Sequence, residues 1–479
     1  MKGDFTRDSF NRLRHYSRVL QQQGRIELDA DGNERQAILL HLVRSLAADL
    51  IGPHGAPGTG FQLKASKWDF VITKGHYYVD GWLCENDEDV TFAGREKGVL
   101  QPWWRPGTEA LQQNKRYLAY LDVWERHISA AEADGAAERT LPTALREVAL
   151  GGPDTTTRAQ VVWQVKVSPQ GEHPLPVEVE APVKPDERAA WTRRWAKWFD
   201  DEWPLWRDSW QARERGRLTA KAAETSEMDT GKPCVVSPHA RYRGLENQLY
   251  RIEIHRGTDA GQKPTFVWSR ENGSVVFALE RVDDASVKLV DGWRDARFGL
   301  AVGDVFELSD DDIAVSGKSG PLRRVTGVDL DTWTISFAGS GLAGTVDTSR
   351  HAVLRRWDHG HRTGAIDTRN ANNDGRPEIA DDLALSVEGR WLTIEDGISI
   401  LFDGAQYRTG DYWLIPARTA IGDVLWPRDK DGNPKAMASH GVEHHYAPVA
   451  IVSVGDDGLV TVIEMPARFK TLVELSNPI

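Results

Sequence analysis

The first 34 residues, MKGDFTRDSFNRLRHYSRVLQQQGRIELDADGNE, constrain the fold more than any other stretch. After Lys2 the charges Asp4, Arg7, Asp8, Arg12 and Arg14 interrupt every apolar run, so the segment does not read as a secretory leader. Phe5, Phe10, Tyr16, Val19, Leu20, Ile26 and Leu28 recur among those charges, which also disfavours a solvated tail. A segment this short cannot enclose seven apolar side chains by itself. It must lay them on the rest of the chain or on a neighbouring subunit. The expected assembly contacts are Phe5, Phe10, Tyr16 and Leu20 as apolar anchors, with Arg7, Arg18 and Arg25 pairing with acids.

A chain of 479 residues is too long for one ordinary core, and two to four domains are expected. It contains no uninterrupted apolar run of about 18 residues, so no membrane insertion is expected. A net charge of −12 argues against nucleic acid as the main partner, because phosphate binding needs a basic surface. Cys84 and Cys234 lie far apart and belong to no C-x-x-C pair. A disulfide framework or structural zinc is therefore not expected, and the cytoplasm is the default location. Nineteen tryptophans beside four methionines favour interfaces or flat ligand platforms, since indole offers a large rigid contact area.

Along the chain, residues 34–51 read as a helix, with Asn33 as cap and Gln36 at capping-box spacing. Leu39, Leu42, Val43, Leu46 and Leu50 form one stripe, and Gly52-Pro53 stops it. From Phe61 the period changes to two. Strands are expected at 68–73, 76–84, 117–128 and 160–167, then at 248–256, 265–270 and 274–280. Short strands with acidic turns over 303–337 fit a small barrel or sandwich, and further strands follow at 391–402, 411–418, 449–454 and 458–465. A Pro- and Glu-rich connector over 169–190 precedes WTRRWAKWFDDEWPLWRDSW. Trp191, Trp195 and Trp198 share one helical face there, and Pro204 ends or restarts the helix.

The fold class expected is mainly β (α+β), with several small β-sandwich or barrel modules, a helical N-terminal element and a Trp-rich helical insertion. The expected divisions are 1–60, an attachment segment and helix; 61–168, a β domain; 169–235, the connector and Trp-rich helices; 236–355, barrel or sandwich modules; and 356–479, a C-terminal β domain.

Signals of chemistry are sparse. The chain has no G-x-S-x-G, H-E-x-x-H, P-loop or G-x-G-x-x-G after a strand, so no catalytic residue and no cofactor is assigned. His351, His359 and His361 cluster in sequence, and His444-His445 follow Glu443. Neighbours in a strand face opposite ways, so His444 and His445 would not share an ion, and no metal ligand is assigned. Asn370, Asn372, Asp374, Gly375 and Asp381 have the spacing of a calcium loop, but Asn replaces the first Asp and the flanks read as strand; a solvated Asx-rich loop is favoured. DADGN at 29–33 and DKDGN at 429–433 read as turns, and Asp310–Asp312 as an acidic turn. The tryptophan stretch reads as a docked helix or subunit contact, with a sugar-stacking platform as the alternative.

Several blocks carry a family resemblance. They are M-K-G-D-F-T-R-D-x-F and H-Y-S-R-V-L-x-Q-Q-G-R within residues 1–34, LREVALGGPDTTTRAQVVWQVKV at 145–167, YRGLENQLYRIEIHRG at 242–257 with TFVWSRENGSVV at 265–276, and RTGDYWLIPAR at 408–418 with HHYAPVAIV at 444–452. Together they resemble a bacterial domain-of-unknown-function family (DUF6519-like) associated with phage-tail-like contractile injection systems. Where that family is expected to read D-A-D-W-N-E, this chain has Gly32.

The resemblance implies a non-enzymatic structural or adaptor component of a tail-like particle, at the baseplate, fibre or cage. Its partners would be other subunits of the particle and further copies of itself. The particle would assemble in the cytoplasm and be released or docked at a membrane. The rival reading is a carbohydrate-binding or carbohydrate-cleaving tail protein.

Overall fold

A computed structural model describes residues 1–95, 98–103, 111–133, 145–150, 154–169, 175, 185–211, 215–222, 241–258, 261–293, 295–359, 383–465 and 468–469, and everything below concerns those residues. The protein is mostly β, as the periodicity indicates. Its longest strand, Arg116–Ile128, pairs antiparallel with Arg158–Pro169 on one side and His445–Val454 on the other; Val460–Glu464 closes the far edge. Alternation along this strand separates two environments. Tyr117, Ala119, Leu121 and Val123 face a core shared with Phe61, Phe70, Tyr77, Cys84 and Phe92 of the small N-terminal sheets. Leu118 faces the opposite way, together with Ile451 and Ile463.

That opposite face is covered by the tryptophan helices, Pro185–Asp201 and Trp203–Trp210. Pro204 lies in the first turn of the second helix, where its missing N–H costs nothing, so the sequence restarts the helix as expected. Trp191, Trp195, Trp198, Trp203 and Trp206 are buried against Leu118, Ile451, Ile463 and Met465. Trp195 sits edge-on to Trp191 and Trp198, at centroid distances of 6.0 and 5.8 Å. Arg193, Arg194 and Lys197 take the exposed face. The indole faces that a sugar would need are covered.

A second core lies between the sheet built on Gln248–Arg256 and the sheet built on Arg217–Ala222. Next to it, six short strands close into a barrel in the order 276–282, 286–289, 334–337, 322–329, 305–309 and 353–357, filled by Leu279, Val287, Phe306, Leu308, Ile335 and Leu354. The small barrel or sandwich expected over 303–337 is a barrel, and it recruits strands from both sides of that range. Strands after residue 356 join several sheets: Ile398–Asp403 pairs with Arg217–Ala222, Tyr412–Arg418 with Gln248–Arg256, and His445–Val454 with Arg116–Ile128. Sheet membership therefore does not follow chain order.

Some local expectations are corrected. The stretch 76–84 is a hairpin, with strands Gly75–Val79 and Trp82–Asn86. Asp80 and Gly81, with φ of 49° and 80°, supply the mirror-image turn that suits twisted strands. A Cβ at Gly81 would also run into the Arg44 carbonyl. Residues 391–402 likewise divide into Leu392–Thr393 and Ile398–Asp403 around Asp396-Gly397.

The first helix runs from Asp29 to Ile51, one turn earlier than expected. DADGN is its first turn rather than a loop, and Asn33 and Gln36 lie inside the helix. Leu28 occupies the cap position without a side-chain bond. The early start has a cause: Asp29 and Asp31 favour the positive end of the helix dipole, and Asp29 is held by Thr6.

Candidate assembly interface

Residues 1–10 are fixed to the body through groups that the sequence distributes over distant strands. Asn272 lies in an Asn-Gly turn, with φ of 50° followed by 67° at Gly273, a conformation that asparagine and glycine adopt at low cost. Its side-chain amide donates to the Met1 carbonyl (3.2 Å) and the Gly3 carbonyl (2.9 Å), and its own carbonyl accepts the Gly3 amide. Arg251 also donates to the Met1 carbonyl and to the Asn272 side-chain oxygen, and its guanidinium lies 3.6 Å from the centre of the Tyr412 ring. Lys2 pairs with Glu253 at 3.0 Å and approaches the Trp357 ring. Farther on, Phe5 stands edge-on to His127, and the Thr6 carbonyl accepts from Arg418.

The electrostatics of this root follow from burial and partners. Burial alone would raise the Glu253 carboxyl, but Arg251 and Lys2 outweigh it and hold it down at about 2. Burial pushes the His127 imidazole down to about 3, against the opposing pull of Glu132, so Phe5 meets a neutral ring. Glu132 also resists burial: Arg355 and the Ser129 amide and hydroxyl keep it ionised. Partial burial would raise Asp29, yet hydrogen bonds from the Thr6 hydroxyl and amide bring it below its ordinary value. The root is thus a polar joint touching the central sheet, the barrel and the Gln248–Arg256 sheet.

After Phe10 the environment changes. Residues 11–29 are exposed apart from the half-buried Val19, and the backbone hydrogen bonds of this arm are local: His15 to Arg12, Arg14 to Asn11, Arg25 to Gln22. The arm starts along the helix, and Phe10, Arg12, His15, Tyr16, Ile38 and Leu42 line a cleft of about 170 Å³ between them. The helix touches the body through its less apolar side. Arg44 pairs with Glu125 at 2.6 Å and stacks 3.3 Å from the Trp82 ring centre, while the leucine stripe turns outward. Of the 23 large apolar side chains exposed among the described residues, 11 fall within residues 11–51. Ile26 is 86% exposed and Leu50 78%. Single exposed leucines are ordinary on a soluble protein, but a contiguous set of this size marks a contact surface.

The seven residues expected to make assembly contacts separate into two groups. Phe5 packs on His127, Phe10 approaches His41 at 6.0 Å, and Arg7 is half-buried, so these belong to the root. Tyr16, Arg18, Leu20 and Arg25 are exposed on the arm. Leu13 and the helix stripe join them on that surface. The stripe is legible from its spacing; its outward direction is not, because spacing gives a face without saying what covers it.

The other side-chain clusters are internal joints. His444 meets Asp122 at 2.7 Å and His445 meets Asp80 at 2.9 Å, on opposite faces as strand neighbours should. His351 contacts Asp311, which also accepts from Arg126, while buried His359 faces the Leu383 carbonyl. Asp310 caps the short helix Asp311–Val315, and Asp312 accepts from Arg350. Among the described residues no group of three or more His, Cys, Asp or Glu is placed to hold a metal ion. His361, Cys234 and the calcium-like spacing over 370–381 lie outside the described residues. Among those described, no helix is long and apolar enough to cross a membrane.

Fold and surface define a β-rich, multi-module protein whose N-terminal root is built into the body and whose arm and first helix stay uncovered. The chain belongs to a family of unknown function, DUF6519, whose family model matches residues 1–177 and 212–476. The unmatched interval contains the tryptophan helices. No curated protein and no solved structure matches the chain.

Proposed function

We propose that this protein is a non-enzymatic structural or adaptor component of a contractile phage-tail-like particle, in its baseplate, fibre or cage region, joined to neighbouring subunits through the arm over residues 11–28. The supporting observation is the set of exposed apolar side chains on this arm, Leu13, Tyr16, Leu20, Ile26 and Leu28. Charge favours the same reading. Four arginines against one glutamate give the arm +3, which leaves −15 on the remainder of a chain of net −12. An arm of that kind suits an acidic neighbouring surface, with Tyr16 and Leu20 as anchors and Arg18 and Arg25 steering the approach. The particle would form in the cytoplasm before release or docking at a membrane.

The test is co-sedimentation with assembled particles. Tyr16→Ala combined with Leu20→Ala should leave the isolated protein folded, since both side chains are exposed, and should strip it from the particle fraction. A double variant that sediments with particles like the parent sinks the proposal.

A further inference from the structure

The outward stripe of the first helix has a pattern of its own. Leu39, Val43, Leu46 and Leu50 follow one another at spacings of four, three and four, the alternation with which two helices interlock knobs into holes. All four are more than half exposed, and the opposite side of the helix is occupied by the body through Arg44, Trp82 and the Gly81 turn. We infer that this stripe is the seam of a homodimer, its occupant being the same stripe of a second copy of this chain. This goes beyond the arm's role, which concerns other subunits.

Three observations favour a second copy. The stripe is complementary to itself: antiparallel mating about a two-fold axis sets Leu39 opposite Leu50 and Val43 opposite Leu46, so every apolar layer meets another. Antiparallel mating also opposes the two helix dipoles. The available area is sufficient as well. Leu40 and Leu42 flank the stripe, and six such side chains can each cover roughly 80 Å² of apolar surface. With a polar rim in the usual proportion, that amounts to about 800 Å² per copy, the standard size of a specific interface. Finally, a helix of 23 residues is about 35 Å long, and its middle is braced on the hairpin, so the stripe is presented rigidly and little ordering is lost on contact.

The experiment uses the full chain. Sedimentation velocity of the purified protein at tens of micromolar should show a species of twice the monomer mass. Val43→Glu with Leu46→Glu should raise the dimer dissociation constant at least a hundredfold, by setting four carboxylates in the seam. Both positions are exposed in the single chain, so the melting temperature of the diluted monomer should not move. Leu39→Arg with Leu50→Arg provides a second disruption at the ends of the seam, and Leu245→Glu, exposed elsewhere, should leave the dimer intact. A parent chain that is monomeric at these concentrations overturns the inference, and so does a dimer that survives both double variants. The arm variants separate this from the particle reading: they should lose particle attachment and keep the dimer.

Discussion

Asn272→Ala should release the N-terminal root without unfolding the body. The side chain is fully buried and carries three hydrogen bonds, two donated to the Met1 and Gly3 carbonyls and one accepted from Arg251. Removing it takes one donor from each carbonyl, and each keeps another, Met1 the Arg251 guanidinium and Gly3 the Phe5 amide, so the loss is that of two hydrogen bonds at about 1 kcal/mol apiece. Alanine at φ of 50° also strains the turn by about 1 kcal/mol, because its Cβ crowds the following carbonyl where asparagine compensates locally, but the body carries that strain whether the root is closed or open. The joint itself therefore loses about 2 kcal/mol, roughly thirtyfold in the closed-to-open ratio of the root. Residues 1–10 can lift away while the strands beneath stay paired, so the loss should appear as local opening. Hydrogen exchange resolves this. The Gly3 and Thr6 amides, bonded to the Asn272 carbonyl and to Asp29, should exchange about thirtyfold faster, while amides of Gln248–Arg256 keep their protection. Asn272→Gly should relieve the strain in the turn and open the root as far as Asn272→Ala does. Unchanged protection at Gly3 and Thr6 in Asn272→Ala would refute the joint as described.

Other consequences are open to simpler measurements. Trp195→Ala removes a side chain 2% exposed and in edge contact with two indoles, so it should cost about 3–5 kcal/mol; a denaturation midpoint close to the parent's would show that the helix pair is not a core element. The Glu253 carboxyl lies at about 2 when folded against an ordinary 4.5. A depressed folded value means that its contribution is fully present above about pH 4.5 and is lost as pH falls toward 2. Protection of the Gly3 amide should decline across that window, and Glu253→Gln should flatten the dependence. Arg18→Glu with Arg25→Glu should weaken particle attachment and reduce its sensitivity to salt, read by co-sedimentation across a salt series; an unaltered salt response would remove the electrostatic part of the arm's role.

The strands were legible because alternation is a local property. Tyr117–Val123 reads as a strand in the sequence and is one in the fold, with one face toward the N-terminal sheets and the other toward the tryptophan helices. The tryptophan helices were legible for the same reason, since three indoles on one face must be covered. What failed locally was punctuation. The Asp80-Gly81 and Asp396-Gly397 turns vanish inside single strands when only the period is read, and DADGN has the composition of a turn although its two acids suit a helix start. What could not be read was long-range. Thr6 holds Asp29 and Asn272 holds Gly3 across 23 and 269 positions, and no periodicity reports such pairings. The division of the N-terminal anchors into an intramolecular root and a free arm depends on those pairings. Phe5 and Tyr16 look alike in sequence, yet one has His127 to pack on and the other lines an open cleft.

A photoreactive residue in place of Leu20 tests the central claim most directly. The side chain is 69% exposed and lies on the arm, away from the root joints. Irradiated within purified particles, it should form covalent links to a different subunit, while the same residue at position 245, also exposed but on the body, should not. Links confined to this chain's own body, or none above the position-245 background, would contradict the account of the arm as the element that joins this protein to its neighbours.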